Sequence, residues 1–158
     1  MDEILKIDNL SVSYGKKKAI HDISLTINKG DFVALLGSNG AGKSTLINSI
    51  IGLQKNMSGS ILFNTEEFNT TLQPFACLGF TPQTSVMDYY TTVWDNVMLG
   101  LNLAGKRGDE AVALCHFALD IVGLSDKANE LVESLSGGQL QRVQIARAIA
   151  HKPDIYIR

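Results

Sequence analysis

Cysteine is scarce in this sequence. Its two cysteines, Cys77 and Cys115, lie far apart, form no CxxC, and sit in apolar contexts, FACLGF and VALCHFAL. This argues against a disulfide framework or a thiolate metal site and predicts two buried free thiols, as suits a reducing compartment. Basic residues are not in excess either: 14 Lys and Arg stand against 16 Asp and Glu, a formal net charge of −2. A nucleic-acid surface working through a large positive field is therefore not expected. No apolar run approaches the roughly 18–20 residues that cross a bilayer, and the acidic opening MDEILKIDNL lacks the basic and then apolar pattern of a secretory signal. Any work at a membrane would need another chain to supply the spans. Proline is sparse too, three residues against 14 glycines, which hints at close backbone contact with a ligand. What remains is an ordinary soluble composition, and its 158 residues suit about one domain with a real core.

The first part of the chain alternates with period two. ILKIDNLSVSY and AIHDISLTI, joined by the polar turn GKKK at Gly15 to Lys18, predict two antiparallel strands with Leu10, Val12, Tyr14 and Ile23, Leu25, Ile27 in step. After a second turn, NKG, the run DFVALL at 31–36 is continuously apolar, as expected of a strand buried on both faces. KSTLINSII predicts a helix from about Gly42, with Gly52 as its stop. SGSILF and CLGFTPQ read as strands, the second entering a loop. The sequence then turns helical over TTVWDNVMLGLNLAG and DEAVALCHFALDIVGL, with Ala111, Leu114, Cys115, Ala118, Leu119 and Val122 on one face. A last helix follows Gly138, and PDIYI starts a further strand.

Two stretches carry chemistry. Gly37-Ser38-Asn39-Gly40-Ala41-Gly42-Lys43-Ser44 fits G-x-x-x-x-G-K-[ST] in full, between an expected strand and an expected helix. Glycines there let backbone amides turn inward around phosphate oxygens, and the helix start adds partial positive charge. Lys43 would place a point charge on the β and γ phosphates, Ser44 would offer its hydroxyl to Mg²⁺, and Thr45 is a neighbouring hydroxyl. The second stretch is LSGGQ, Leu135 to Gln139, in front of a helix carrying Arg142 and Arg147. Ser136, Gly137 and Gly138 at a helix N-terminus suit an anion, but taken alone they read better as a plain serine N-cap with two flexible glycines.

The order GSNGAGKST, then Gln83 in TPQ, then LSGGQLQRVQIARA resembles the nucleotide-binding subunits of ATP-binding cassette transporters, over nearly the whole chain. The resemblance implies an α/β fold: a phosphate-loop NTPase core with a mainly parallel sheet and flanking helices, an N-terminal antiparallel β part and an inserted helical subdomain. It divides 1–158 into a β-rich core over 1–91, a helical subdomain over 92–135, and a signature helix with the start of the next strand over 136–158. It implies ATP and Mg²⁺ as cofactors, with Tyr14 stacking on adenine and Gln83 contacting the magnesium and attacking-water region. It further implies a head-to-tail pair in which Ser136, Gly137, Gly138 and Gln139 meet the ATP held by the partner. A transmembrane permease would dock near the start of the helical subdomain, placing the chain at the inner face of the cell membrane. Trp94 could serve that interface or the core, whereas Phe117 is expected to fill the core.

One departure stands out. After HKPDIYI the family continues with one more apolar residue, a magnesium-associated aspartate and a catalytic glutamate, where this sequence has Arg158 and stops. Asp154 precedes the strand residues and does not replace them. The expectation is a fragment or shifted reading of a longer frame that binds Mg-ATP and hydrolyses it poorly, since general-base assistance contributes about 10²–10⁴-fold. A noncatalytic nucleotide-binding module and a cassette protein without membrane partners remain as alternatives.

Overall fold

A computed structural model describes residues 2–55, 57–64, 77–84 and 86–158. They form two compact units, Met1–Cys77 and Leu78–Arg158.

The first unit is built on β1 (Glu3–Tyr14), β2 (Lys17–Asn28) and β3 (Met57–Phe63), an antiparallel sheet of order β2-β1-β3. The expected alternation is present with a phase slip. Leu5 and Ile7 are buried, and so are Leu10 and Val12. The three-residue step from Ile7 to Leu10 coincides with a register shift and with Asn9 at φ 49°, as a bulge requires to keep both pairs on the core face. Tyr14 and Ile23, expected in step with the core, are 50% and 38% exposed. Helix α1 (Lys43–Ile50) carries Leu46, Ser49 and Ile50 inward.

The sequence expectation fails at 31–36. No strand forms there, and Phe32 and Leu36 are 97% and 91% exposed. Continuous apolarity makes a buried strand only if neighbouring strands accept its amides and carbonyls, and 31–38 belongs to neither sheet.

In the second unit β4 (Leu78–Phe80) and β5 (Ile155–Ile157) pair in parallel, Leu78 opposite Ile155. Between them run α2 (Val93–Leu103), α3 (Gly108–Ile121) and α4 (Gly137–Ile149). Val93, Val97 and Leu101 of α2, Ala111, Cys115, Ala118 and Leu119 of α3, and Val143 and Ala146 of α4 form one buried cluster. The α3 face read from spacing is thus the core face, with Leu114 partly buried at its margin. Phe117 is not core: it is 42% exposed, with the Lys152 ammonium 4.4 Å from its ring centre. It lies between Leu114 and Ile121 on the flank of α3 that turns away from Cys115 and Leu119. Trp94 packs partly buried against the cluster, its ring 4.7 Å from that of His116. Cys77 and Cys115 are buried and joined in no disulfide, as expected.

Candidate functional site

The loop ahead of α1 has the shape its glycines predict. Gly40 and Gly42 sit at φ 83° and 93°, a left-handed backbone that costs other L-residues roughly 1–2 kcal/mol. At Gly42 there is a second constraint, since a Cβ would stand 2.7 Å from the Ala19 carbonyl oxygen. Gly42 is also the N-cap of α1 and brings no side chain to it, so the first-turn amides at Lys43, Ser44 and Thr45 are left without a side-chain cap. Lys43 folds back over the loop, its Nζ donating to the carbonyls of Gly37 at 2.6 Å and Ser38 at 2.9 Å. Gly37 through Ala41 are exposed. Exposed loop amides, an uncapped helix start and an ammonium resting on replaceable carbonyls form a cradle for an anion with several oxygens.

The Ser44 hydroxyl is exposed and makes no hydrogen bond among the described residues, so it is available to a cation. Among the described residues no group of three or more His, Cys, Asp or Glu could hold a metal, and a magnesium ion beside Ser44 would take its remaining oxygens from phosphate and water. The donor set fits the expected ion. Tyr14 closes β1, half exposed, with its hydroxyl donating to Gln54 Oε1 at 2.9 Å.

The remaining expected residues lie in the second unit. Ser136 is the N-cap of α4: its hydroxyl accepts from the Gln139 amide at 3.3 Å, and its own amide donates to Gln139 Oε1 at 2.9 Å. The plain N-cap reading is therefore correct as far as it goes. It does not explain the glycines. Neither Gly137 nor Gly138 has a positive φ, and a Cβ on either would meet nothing within 4 Å. Alanine would be the better helix former by roughly 0.5–1 kcal/mol at an interior position, so nothing inside the unit requires glycine. Bare backbone at this exposed helix start suits an object approaching from outside. Gln83 is exposed on the loop after β4 and, with Thr81, Pro82, Gln141, Gln144 and Arg158, lines a cleft of about 220 Å³.

The pattern of the family described as ABC transporter matches residues 20–158. The chain belongs to that family. Among ABC relatives, the methionine import ATP-binding protein MetN of Mesorhizobium japonicum is 39% identical over 160 residues, covering 98% of this chain and 44% of that protein. The manganese transport system ATP-binding protein MntB of Bacillus subtilis is 36% identical, covering 96% and 62%. The ABC subunit cbiO1 of Clostridium perfringens, described as part of the transporter complex cbiONQ, superposes with a TM-score of 0.82 at 28% identity over 99% of this chain and 64% of its own. The chain thus spans about half the length of the two sequence relatives.

Further residues organise the ABC unit. Asn96 is buried, and its amide nitrogen lies within 3.0 Å of the Asp88 and Thr92 carbonyls and the Thr91 hydroxyl while its oxygen accepts from the Asp88 amide. It ties the 88–92 loop to the start of α2. Thr92 and Asp95 cap that helix reciprocally, a T-x-x-D pattern that was open to sequence reading. Arg147 donates to the Val86 carbonyl at 2.7 Å, and burial pulls its pKa below the usual guanidinium value. His151 is buried, with Nε2 3.2 Å from the Leu78 carbonyl and Nδ1 without a partner among the described residues. Burial lowers its pKa, against the carbonyl contact, which raises it, and Lys106 lowers it further.

Proposed function

We propose that this chain is the ATP-binding subunit of a membrane transporter, or a part of one. It binds Mg-ATP through Gly37 to Thr45: backbone amides and Lys43 hold the phosphates, Ser44 reaches the magnesium, and Tyr14 stacks on the adenine. Gln83 serves the magnesium and attacking-water region and couples it to the permease. The observation that carries this reading is the left-handed Gly42 at an uncapped helix start beside the folded-back Lys43. Magnesium, when bound, neutralises phosphate charge. The chain's own residues hold the tail, orient the base and keep a cation within reach of Ser44.

A second subunit packs head to tail, so that Ser136 to Gln139 of each reaches the ATP of the other. The unexplained bareness of Gly137 and Gly138 supports this. A permease supplies the spans, since no helix among the described residues is long and apolar enough to cross a membrane. It also selects the cargo, which suits the different cargoes named for the relatives, methionine and manganese. The subunit then works at the cytoplasmic face of the membrane.

The polypeptide of residues 1–158 is proposed to bind Mg-ATP and to hydrolyse it slowly, because residues 37–45 carry phosphate-binding groups but no carboxylate to act as a general base. The test is a fluorescent ATP analogue titrated into parent chain and Lys43→Ala, with phosphate release followed in parallel. Lys43-dependent binding with little release is expected. Binding that survives Lys43→Ala contradicts the site, and brisk release that Lys43→Ala abolishes contradicts the slow hydrolysis.

A further inference from the structure

We propose that Gln54 is a positioning residue for nucleotide recognition, its side-chain carbonyl holding the Tyr14 ring in the orientation that receives the base. The inference rests on the reading of the 37–45 loop as the Mg-ATP site and of Tyr14 as the base contact.

Tyr14 stands at the end of β1 just before the turn at Gly15 and Lys16, with half its surface exposed. A ring so placed loses rotational freedom when it stacks, and whatever fixes it beforehand lowers the cost of binding. The fixing contact is the 2.9 Å hydrogen bond from its hydroxyl to Gln54 Oε1, across 40 residues of sequence. It is the one hydrogen bond of the Tyr14 side chain among the described residues.

Gln54 is itself held. After α1 ends at Ile50, Gly52 takes φ 80°, and the Leu53 and Gln54 amides both donate to the Asn48 carbonyl, at 2.8 and 3.2 Å. The acceptor for Tyr14 is therefore carried by the C-terminal end of the helix whose N-terminal end forms the phosphate loop. Eight residues of helix span about 12 Å. One short rigid element thus sets both the loop that takes the phosphates and the ring that takes the base. An exposed hydrogen bond between neutral groups contributes little to folding, so its loss belongs in ligand selectivity more than in stability.

The chain is titrated by calorimetry with Mg-ATP and with magnesium tripolyphosphate, which carries the phosphate tail without a base. Gln54→Ala and Tyr14→Phe are each expected to weaken Mg-ATP by roughly 2- to 10-fold, the net worth of one hydrogen bond. Neither should change tripolyphosphate affinity, the double variant should be no weaker than either single one, and Gln54→Glu, which keeps the acceptor oxygen, should bind like the parent. Equal weakening of both ligands, additive losses, or unchanged Mg-ATP affinity in Tyr14→Phe overturns the proposal. Tyr14→Phe keeps the ring and decides the question even if Gln54→Ala lowers the unfolding midpoint. Lys43→Ala separates the two levels: if it spares both ligands, the loop assignment itself fails, and if it abolishes both while Gln54 and Tyr14 variants change nothing, only the positioning role fails.

Discussion

Gly42→Ala tests how tightly the loop backbone is specified. At φ 93° the added methyl incurs a left-handed penalty of roughly 1–2 kcal/mol. It must also stand 2.7 Å from the Ala19 carbonyl oxygen and 3.3 Å from Ile20 Cγ1. Those neighbours are β2 backbone and a buried side chain, so relief requires the loop or the strand to move, an overpacking cost of about 1–3 kcal/mol. Gly40→Ala separates the two effects, because Gly40 shares the left-handed φ, 83°, but has nothing within 4 Å of its Cβ position. Tenfold in affinity is about 1.4 kcal/mol. Gly40→Ala should therefore weaken Mg-ATP by about 5- to 30-fold, and Gly42→Ala by roughly 30-fold or more, or lower the urea midpoint by the equivalent energy. Calorimetric titration beside urea unfolding reads both routes. Parent-like binding and stability in Gly42→Ala, or Gly40→Ala as the more damaging change, would refute the reasoning.

Gly137→Ala and Gly138→Ala should each leave unfolding unchanged or stabilise it by about 0.4–1 kcal/mol while weakening ATP-dependent dimerisation, seen by sedimentation; destabilisation would mean an internal need for glycine. His151 has a folded pKa below its ordinary 6.5, so the unfolded chain binds more protons between those two values and stability rises with pH there. The urea midpoint should be flat above pH 6.5 and fall on acidification through the folded value, and His151→Phe should flatten that slope; an unaltered slope would deny His151 the role. Burial, with a smaller contribution from Asp95, pushes the Cys115 thiol up to about 12. Cys115 of the native chain should then not react promptly with a thiol reagent at pH 8, and should do so after denaturation.

What the sequence made legible was local. The turn at Gly15, the α3 core face, the Gly42 helix start and the Gly52 stop follow from residue type and spacing within a few positions, and all are present. The loop residues 37–45 were identifiable because their chemistry is contained in one short stretch. The expectation at 31–36 failed because apolarity states a demand for neighbours without supplying them, and Phe117 failed because one turn of α3 carries both the core stripe and its flank. Asn96, Arg147 and His151 act through carbonyls 8, 61 and 73 residues away in sequence, and no pattern in one chain announces such partners. The Tyr14 to Gln54 contact is of the same kind.

The central claim is that the backbone at the start of α1 wraps a polyphosphate. Amide NMR of the labelled chain during Mg-ATP titration addresses it directly. Large, saturating shifts of the Gly42, Lys43, Ser44 and Thr45 amides, absent in Lys43→Ala, are predicted. Saturable binding with those amides unmoved, or no binding by chain whose spectrum is folded, would contradict it.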